Sequence, residues 1–186
     1  MSDQERELKV LLSKEQYQTL LKSLKFDHIR THVNTYYDDD QGSLKSRGMA
    51  LRIRQTEGKN ILTIKKPLDA ITKYEYEIPV HTSDFSKLNP SEKEWIDNHM
   101  PFQMSFHPIV TFTTIRHILN LPDAEVSLDE TQFRNHTDYE IEYEYRHEHD
   151  GITVFNHLLQ PAGIQFTKNG PSKLARAMRD QESENL

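Results

Sequence analysis

The 186-residue chain contains no cysteine. That excludes disulfides, thiolate zinc sites and cysteine nucleophiles, and makes a reducing compartment such as the cytoplasm the expected setting. No apolar run approaches the roughly 18 residues of a membrane span. The first residues, Met1-Ser2-Asp3-Gln4-Glu5, lack the basic-then-apolar order of a signal peptide. Cations are in the minority, 23 Lys and Arg against 29 Asp and Glu for a net charge of −6. Non-specific duplex nucleic-acid binding, which needs a basic footprint, is disfavoured. Hydrophobic residues are also scarce, at 35% of the chain. Even so, periodic Ile, Leu, Phe and Tyr exclude full disorder. One domain over 1–179 is expected, with 180–186 reading as a disordered tail.

What is present is mostly strict alternation, the signature of half-buried strands. Glu5, Glu7 and Lys9 share one face of a strand and Leu8 and Val10 the other. Ser13-Lys14-Glu15-Gln16 is a capping box that opens a helix over 13–25. Alternation continues through 31–38, 49–55, 61–66 and 73–78, then 109–119, 124–129 and 139–145. Residues 83–99 carry two short helical patterns, the second starting at Asn89-Pro90. A helix over 154–159, a short strand over 164–168 and a last helix over 171–179 complete the pattern. Eight or so antiparallel strands with few helices predict a sheet that closes or sandwiches.

Several strands carry charge on one face: Glu5/Glu7/Lys9, Arg52/Arg54, Lys65, Glu75/Glu77, Asp129 and Glu140/Glu142/Glu144. Alternation alone favours the ordinary reading, the wet faces of an antiparallel sheet. Two details favour a site. Acids and bases are paired in tight local blocks, and Glu140/Glu142/Glu144 stacks three like charges that repel unless a cation sits among them. Carboxylate oxygens suit hard Mg²⁺ or Mn²⁺, whereas Arg and Lys suit phosphate oxygens.

The series Glu5-Arg6-Glu7-Leu8-Lys9, Leu51-Arg52-Ile53-Arg54, Leu62-Thr63-Ile64-Lys65, Tyr74-Glu75-Tyr76-Glu77, Tyr139-Glu140-Ile141-Glu142 and Ser172-Lys173-Leu174-Ala175-Arg176-Ala177 resembles the CYTH-domain family, the triphosphate tunnel metalloenzymes. It is most similar to the small stand-alone Gram-positive bacterial members. The resemblance implies an α+β, mainly β fold: a closed eight-stranded antiparallel barrel forming a tunnel, with helices packed outside. It implies a divalent-metal-dependent phosphohydrolase acting on inorganic triphosphate or a nucleoside triphosphate. Glu5, Glu7, Glu140 and Glu142 match the metal carboxylates, with Asp129 as a further acidic group. Lys9, Arg52, Arg54, Lys65, Arg116 and Lys173 match the phosphate-gripping bases, with Lys168 as an additional candidate. Glu75 and Glu77 match groups that orient bases or hold a water. Thr114 stands where the family often has a basic residue. The implied ligand is a triphosphate-containing small molecule, and dimers occur among relatives. An adenylate cyclase, a thiamine triphosphatase or a non-catalytic polyphosphate-binding module remain open, with Tyr36, Tyr37, Tyr74 and Tyr76 as groups able to stack an organic base. His147-Glu148-His149 lacks zinc spacing and reads as a solvated strand end.

Overall fold

The structure, a computed structural model, describes residues 4–100 and 105–182. Alternation produces eight strands: β1 (Gln4–Leu12), β2 (His28–Asp38), β3 (Ala50–Thr56), β4 (Lys59–Pro67), β5 (Thr72–Val80), β6 (His107–Asn120), β7 (Ala124–Gln132) and β8 (Thr137–Tyr145). They close into a barrel in the order β1-β5-β4-β3-β2-β6-β7-β8, and all eight pairings are antiparallel. Closure leaves no long unpaired edge. The helices are α1 (Lys14–Ser23), α2 (Ser43–Ser46), α3 (Pro90–His99), α4 (Gly151–Leu159) and α5 (Lys173–Glu182).

Helix starts follow local chemistry. The Ser13 hydroxyl accepts from the Gln16 N–H while the Gln16 side chain accepts from the Ser13 N–H, closing the expected capping box. Asn89 and Glu92 repeat the device at α3, with Pro90 in the first turn. The basic stretch Lys45-Ser46-Arg47-Gly48 has the composition of an exposed loop but begins inside α2. The cause is acidic: Asp38 accepts from the Leu44 and Lys45 N–H groups at 2.8 and 3.0 Å, and Asp39 accepts from the Ser43 N–H at 2.8 Å. Carboxylates thus take up the orphan donors of a one-turn helix.

The apolar faces pack outside the barrel. Leu8, Leu128, Ile141 and Tyr143 meet Leu20 of α1 and Phe155 and Leu159 of α4. Leu51, Ile53, Leu62 and Ile64 meet Leu44 of α2 and Ile96 of α3. A third cluster joins Tyr36, Val110 and Phe112 to Leu174, Ala177 and Met178 of α5. Tyr36 and Phe112 are inward positions, so α5 packs at the barrel mouth and lines its cavity. Helix α5 also runs to Glu182, so 180–182 of the expected tail are helical. Asp180 is buried, accepts from the Asn135 N–H at 3.0 Å and pairs with His136 at 2.8 Å. Residues 183–186 lie outside the described residues.

The expected strand over 164–168 does not form. A ninth strand has no free edge to join in a closed barrel. The segment crosses the first cluster with Ile164 and Phe166 and supplies one stitch to β1. That strand pairs with β5 only over Gln4–Arg6 and with β8 over Glu7–Leu12. Beyond the reach of β5, the Asn169 amide takes the place of a partner strand. Its Oδ1 accepts from the Lys9 N–H at 2.8 Å, and its Nδ2 donates to the Glu7 carbonyl at 2.9 Å. Asn169→Ala is expected to cost about 1–2 kcal/mol, the worth of two such bonds, read as a lower urea midpoint. An unchanged midpoint would mean that water replaces the amide.

Candidate functional site

The inward faces line a cavity of about 620 Å³. Its charges are organised as a chain of ion pairs. On β4 and β5, Lys65 lies 2.6 Å from Glu5 and 3.0 Å from Glu75. Arg52 lies 3.4 Å from both Glu75 and Glu77, and the Thr63 hydroxyl donates to Glu77. On β1, Lys9 lies 2.7 Å from Glu7 and 3.3 Å from Glu142, with Lys73 3.3 Å from Glu7. On β6, the Arg116 guanidinium grips Asp129 with two bonds of 2.9 and 2.7 Å and reaches Glu142 at 2.5 Å. From α5, the Lys173 ammonium sits among Asp129, Glu140 and Glu142. Arg176 lies 2.7 Å from both Glu140 and Asp138.

This arrangement sets the proton affinities. Burial works against ionising Glu7, but Lys9, Lys73 and Lys65 override it and hold the carboxyl far below the usual range. Asp129, fully buried, is likewise overridden by Arg116 and Lys173 and held low. Glu144, inward on β8, is pushed up to about 8 by burial and by Glu5. Glu5 is itself raised by burial and by Glu75 and Glu7, against the pull of Lys65. Glu75 is instead lowered, its burial outweighed by Lys65 and Arg52. Burial, with Arg116 and Lys9 adding repulsion, lowers the Lys173 ammonium to about 7 against the pull of Asp129.

The β2–β3 wall has the opposite character. Arg54 donates to Asn34 at 3.0 Å, and no carboxylate among the described residues pairs with it. Burial and its neighbours Arg52 and Arg116 bring it down to about 10. His32 is buried, and burial together with Arg54 and Arg116 lowers it to about 3. An unfolded histidine titrates near 6.5. Between those values the unfolded chain binds more protons, so this contribution to stability is full above about pH 6.5 and lost as pH falls. Urea midpoints at pH 7 and 5 are expected to show the wild type losing roughly 1–2 kcal/mol more than His32→Gln. Equal losses would mean that His32 does not titrate in this way.

Of the expected site residues, Glu5, Glu7, Lys9, Arg52, Arg54 and Lys65 line the cavity, as do Glu75, Glu77, Arg116, Glu142 and Lys173. Asp129 and Glu140 lie fully buried behind it, reached through Arg116, Lys173 and Arg176. Lys168 is exposed and does not line the cavity, because its segment is a crossing rather than a strand. Lys73, Arg30, His32 and Asn34 also line the cavity, and none was assigned a role from sequence. Lys73 shares the face of Glu75 and Glu77 by the alternation of β5. The alternation of Arg30, His32, Asn34 and Tyr36 carried the remaining signal: starting that strand at Thr31 left out Arg30, while His32 and Asn34 lay inside it but carry no formal charge to mark the face. Tyr74 and Tyr76 stack on each other, with Lys66 over Tyr76. Tyr36 stacks on Phe112 and Tyr37 packs on Phe85. All four tyrosines are engaged in packing.

Asp129, Glu140 and Glu142 each offer a carboxylate oxygen within 4.8 Å of the others. An all-oxygen anionic set suits a hard divalent cation. The Lys173 amine, brought down to about 7, occupies the centre of this cluster, so the donors fit a metal ion in charge and chemistry once that amine gives way to it.

The closed antiparallel barrel thus combines, in one lumen, a carboxylate cluster with buried lysines and arginines. The CYTH domain model matches residues 3–176, and the chain belongs to the CYTH domain family. The Bacillus subtilis protein YjbK, provisionally named a triphosphatase, is 30% identical over 172 residues, covering 89% of this chain and 90% of that protein. A Bacillus halodurans structure provisionally named an adenylate cyclase shares the fold, with a TM-score of 0.74 at 24% identity over 95% of this chain and 98% of that one. A Hippeastrum protein described as having a dominant triphosphatase activity does so with a TM-score of 0.71 at 22% identity, covering 96% and 95%. Among the described residues, no helix is long and apolar enough to cross a membrane.

Proposed function

We propose that the tunnel hydrolyses a phosphoanhydride bond of a small triphosphate, inorganic triphosphate or a nucleoside triphosphate, with Mg²⁺ or Mn²⁺ bound. One observation carries this reading: Lys9, Arg52, Arg54, Lys65, Arg116 and Lys173 all enter one closed lumen beside a three-carboxylate cluster. Cations turned inward suit a small polyanion and leave little for the grooves of a duplex. Asp129, Glu140 and Glu142 would hold the metal where the Lys173 amine now sits, with Glu5, Glu7 and Glu144 the next carboxylates along the lumen. When bound, the divalent ion withdraws charge from phosphate oxygens and makes a water molecule more acidic.

The protein's own residues supply the rest. Arg52, Arg54 and Lys65 neutralise non-bridging oxygens, which otherwise repel an incoming oxygen nucleophile. Lys9 and Arg116, each shared with Glu142, swing part of their charge to phosphate as the anion enters. The buried walls exclude bulk water and strengthen each of these interactions. Glu144, protonated up to about pH 8, can donate a proton within the acidic end.

The test is phosphate release from inorganic triphosphate, ATP and thiamine triphosphate, each with Mg²⁺ and with Mn²⁺. Metal-dependent release of phosphate supports the proposal. Cyclic AMP with pyrophosphate would make the protein a cyclase, and tight binding without turnover a binding module.

A further inference from the structure

The β2–β3 wall carries buried polar atoms that the ion-pair chain leaves without partners. His32 Nδ1, Arg30 Nε and Thr56 Oγ1 are each buried with no hydrogen-bond partner. Only the Nε of Arg30 is buried: its side chain is 38% exposed and ion-paired at 3.3 Å with the exposed Glu57 carboxylate, without a hydrogen bond. The three residues are neighbours. His32 is the register partner of Thr56 on β3, and Arg30 is the next inward position on β2. Arg30 and His32 line the cavity. The following inward position is Asn34, which accepts from Arg54, the guanidinium that lacks a carboxylate. Across β6, Arg116 faces Arg30 and Thr114 faces His32, but Arg116 is committed to Asp129 and Thr114 bonds Thr131.

Unpartnered buried polar groups are costly, and native structures keep few of them. Two guanidiniums, an imidazole and a hydroxyl all offer donors, and among the described residues the only carboxylate paired with any of them is the exposed Glu57, outside the lumen. Such a set is complementary to one group with several anionic oxygens. Building on the triphosphate reading above, we propose that Arg30, His32 and Thr56 form, together with Arg54, a seat for one phosphoryl group of the bound anion, on the wall away from the carboxylates of β7 and β8. Arg30 and Arg54 supply the charge. His32, neutral among arginines, supplies a donor without adding to their repulsion. Thr56 supplies a hydroxyl at the rim of the seat.

The seat is tested by calorimetric titration of the full chain with inorganic triphosphate in Mg²⁺, alongside phosphate release in the same samples. Arg30→Ala and His32→Ala are each expected to weaken binding about tenfold, the loss of a hydrogen bond to a charged group. His32→Gln, which keeps a neutral donor, is expected to stay within about threefold of wild type. Thr56→Val, nearly isosteric, tests the hydroxyl without emptying space, with a loss of about threefold expected. Thermal melts report folding in each case, and should Arg30→Ala or His32→Ala fail to fold, His32→Gln and Thr56→Val still decide. Folded alanine variants with wild-type affinity would overturn the seat. Wild-type binding without phosphate release would instead overturn the hydrolase reading and leave the seat to be judged on affinity. A wild-type protein that does not bind triphosphate overturns both.

Discussion

Glu142→Gln is expected to lower triphosphate turnover about a hundredfold or more while the chain stays folded. The carboxylate belongs to the Asp129/Glu140/Glu142 cluster, and it is the member that Lys9, Arg116 and Lys173 all touch. The amide keeps the shape and one carbonyl oxygen but removes the charge that both a divalent cation and three neighbouring bases answer to. Stability should suffer little, because Glu7, Asp129 and Glu140 still compensate those bases. The measurement is phosphate release across a metal titration, with circular dichroism as the folding check. Wild-type turnover by Glu142→Gln at saturating Mg²⁺ would remove this carboxylate from the chemistry.

Arg116→Met carries the largest expected effect on stability. It strips the bidentate partner from Asp129, a carboxylate with no exposed surface. Breaking a buried pair from one side costs about 3–5 kcal/mol when the other charge is stranded, and the lower end is expected here because the Lys173 ammonium still lies 2.7 Å from Asp129. Guanidinium and carboxylate each gain from the pair: the neighbouring acids raise the Arg116 pKa against its burial, and Arg116 keeps Asp129 ionised. Arg116→Lys should recover only part, since a point charge cannot reproduce the fork. The decisive comparison is the double variant Arg116→Met with Asp129→Asn, which removes the stranded charge. It should regain stability relative to Arg116→Met alone, a coupling read from denaturant midpoints. Additive losses would mean that the pair is not the source of the cost.

Much of this site was legible because barrel strands obey a period of two. Once Glu5, Glu7 and Lys9 fall on one face, their companions on β3, β4, β5 and β8 follow by the same rule, and the resemblance in motif order supplied the closure. The misreadings share a cause, which is that they depend on contacts across sequence. Residues 164–168 have strand composition, yet whether they pair depends on the barrel having already closed. Helix α2 forms because Asp38 and Asp39 turn back on it, a contact invisible in the Lys45–Gly48 stretch itself. Arg30 escaped notice because strand ends blur, and moving a boundary from Thr31 to His28 brings it into phase with His32 and Asn34, whose uncharged side chains had not marked that face. Glu140 shares the face of Glu142 and Glu144 by alternation, but that Lys173 and Arg176 of α5 would seal it from the lumen is a matter of where a helix docks.

The single amide of Asn169 has a consequence beyond its two hydrogen bonds. A barrel is a cylinder only as far as its last seam is sewn, and here β1 and β5 share three residue pairs before a side chain takes over. The strand bearing Glu5, Glu7 and Lys9 is thus the most lightly fastened stave. Amide hydrogens along that seam should exchange with solvent before those of the long β2–β6 ladder. Under the proposed function, Lys9, which shares its ion pairs with the incoming anion, lies on the part of the wall with the least to undo.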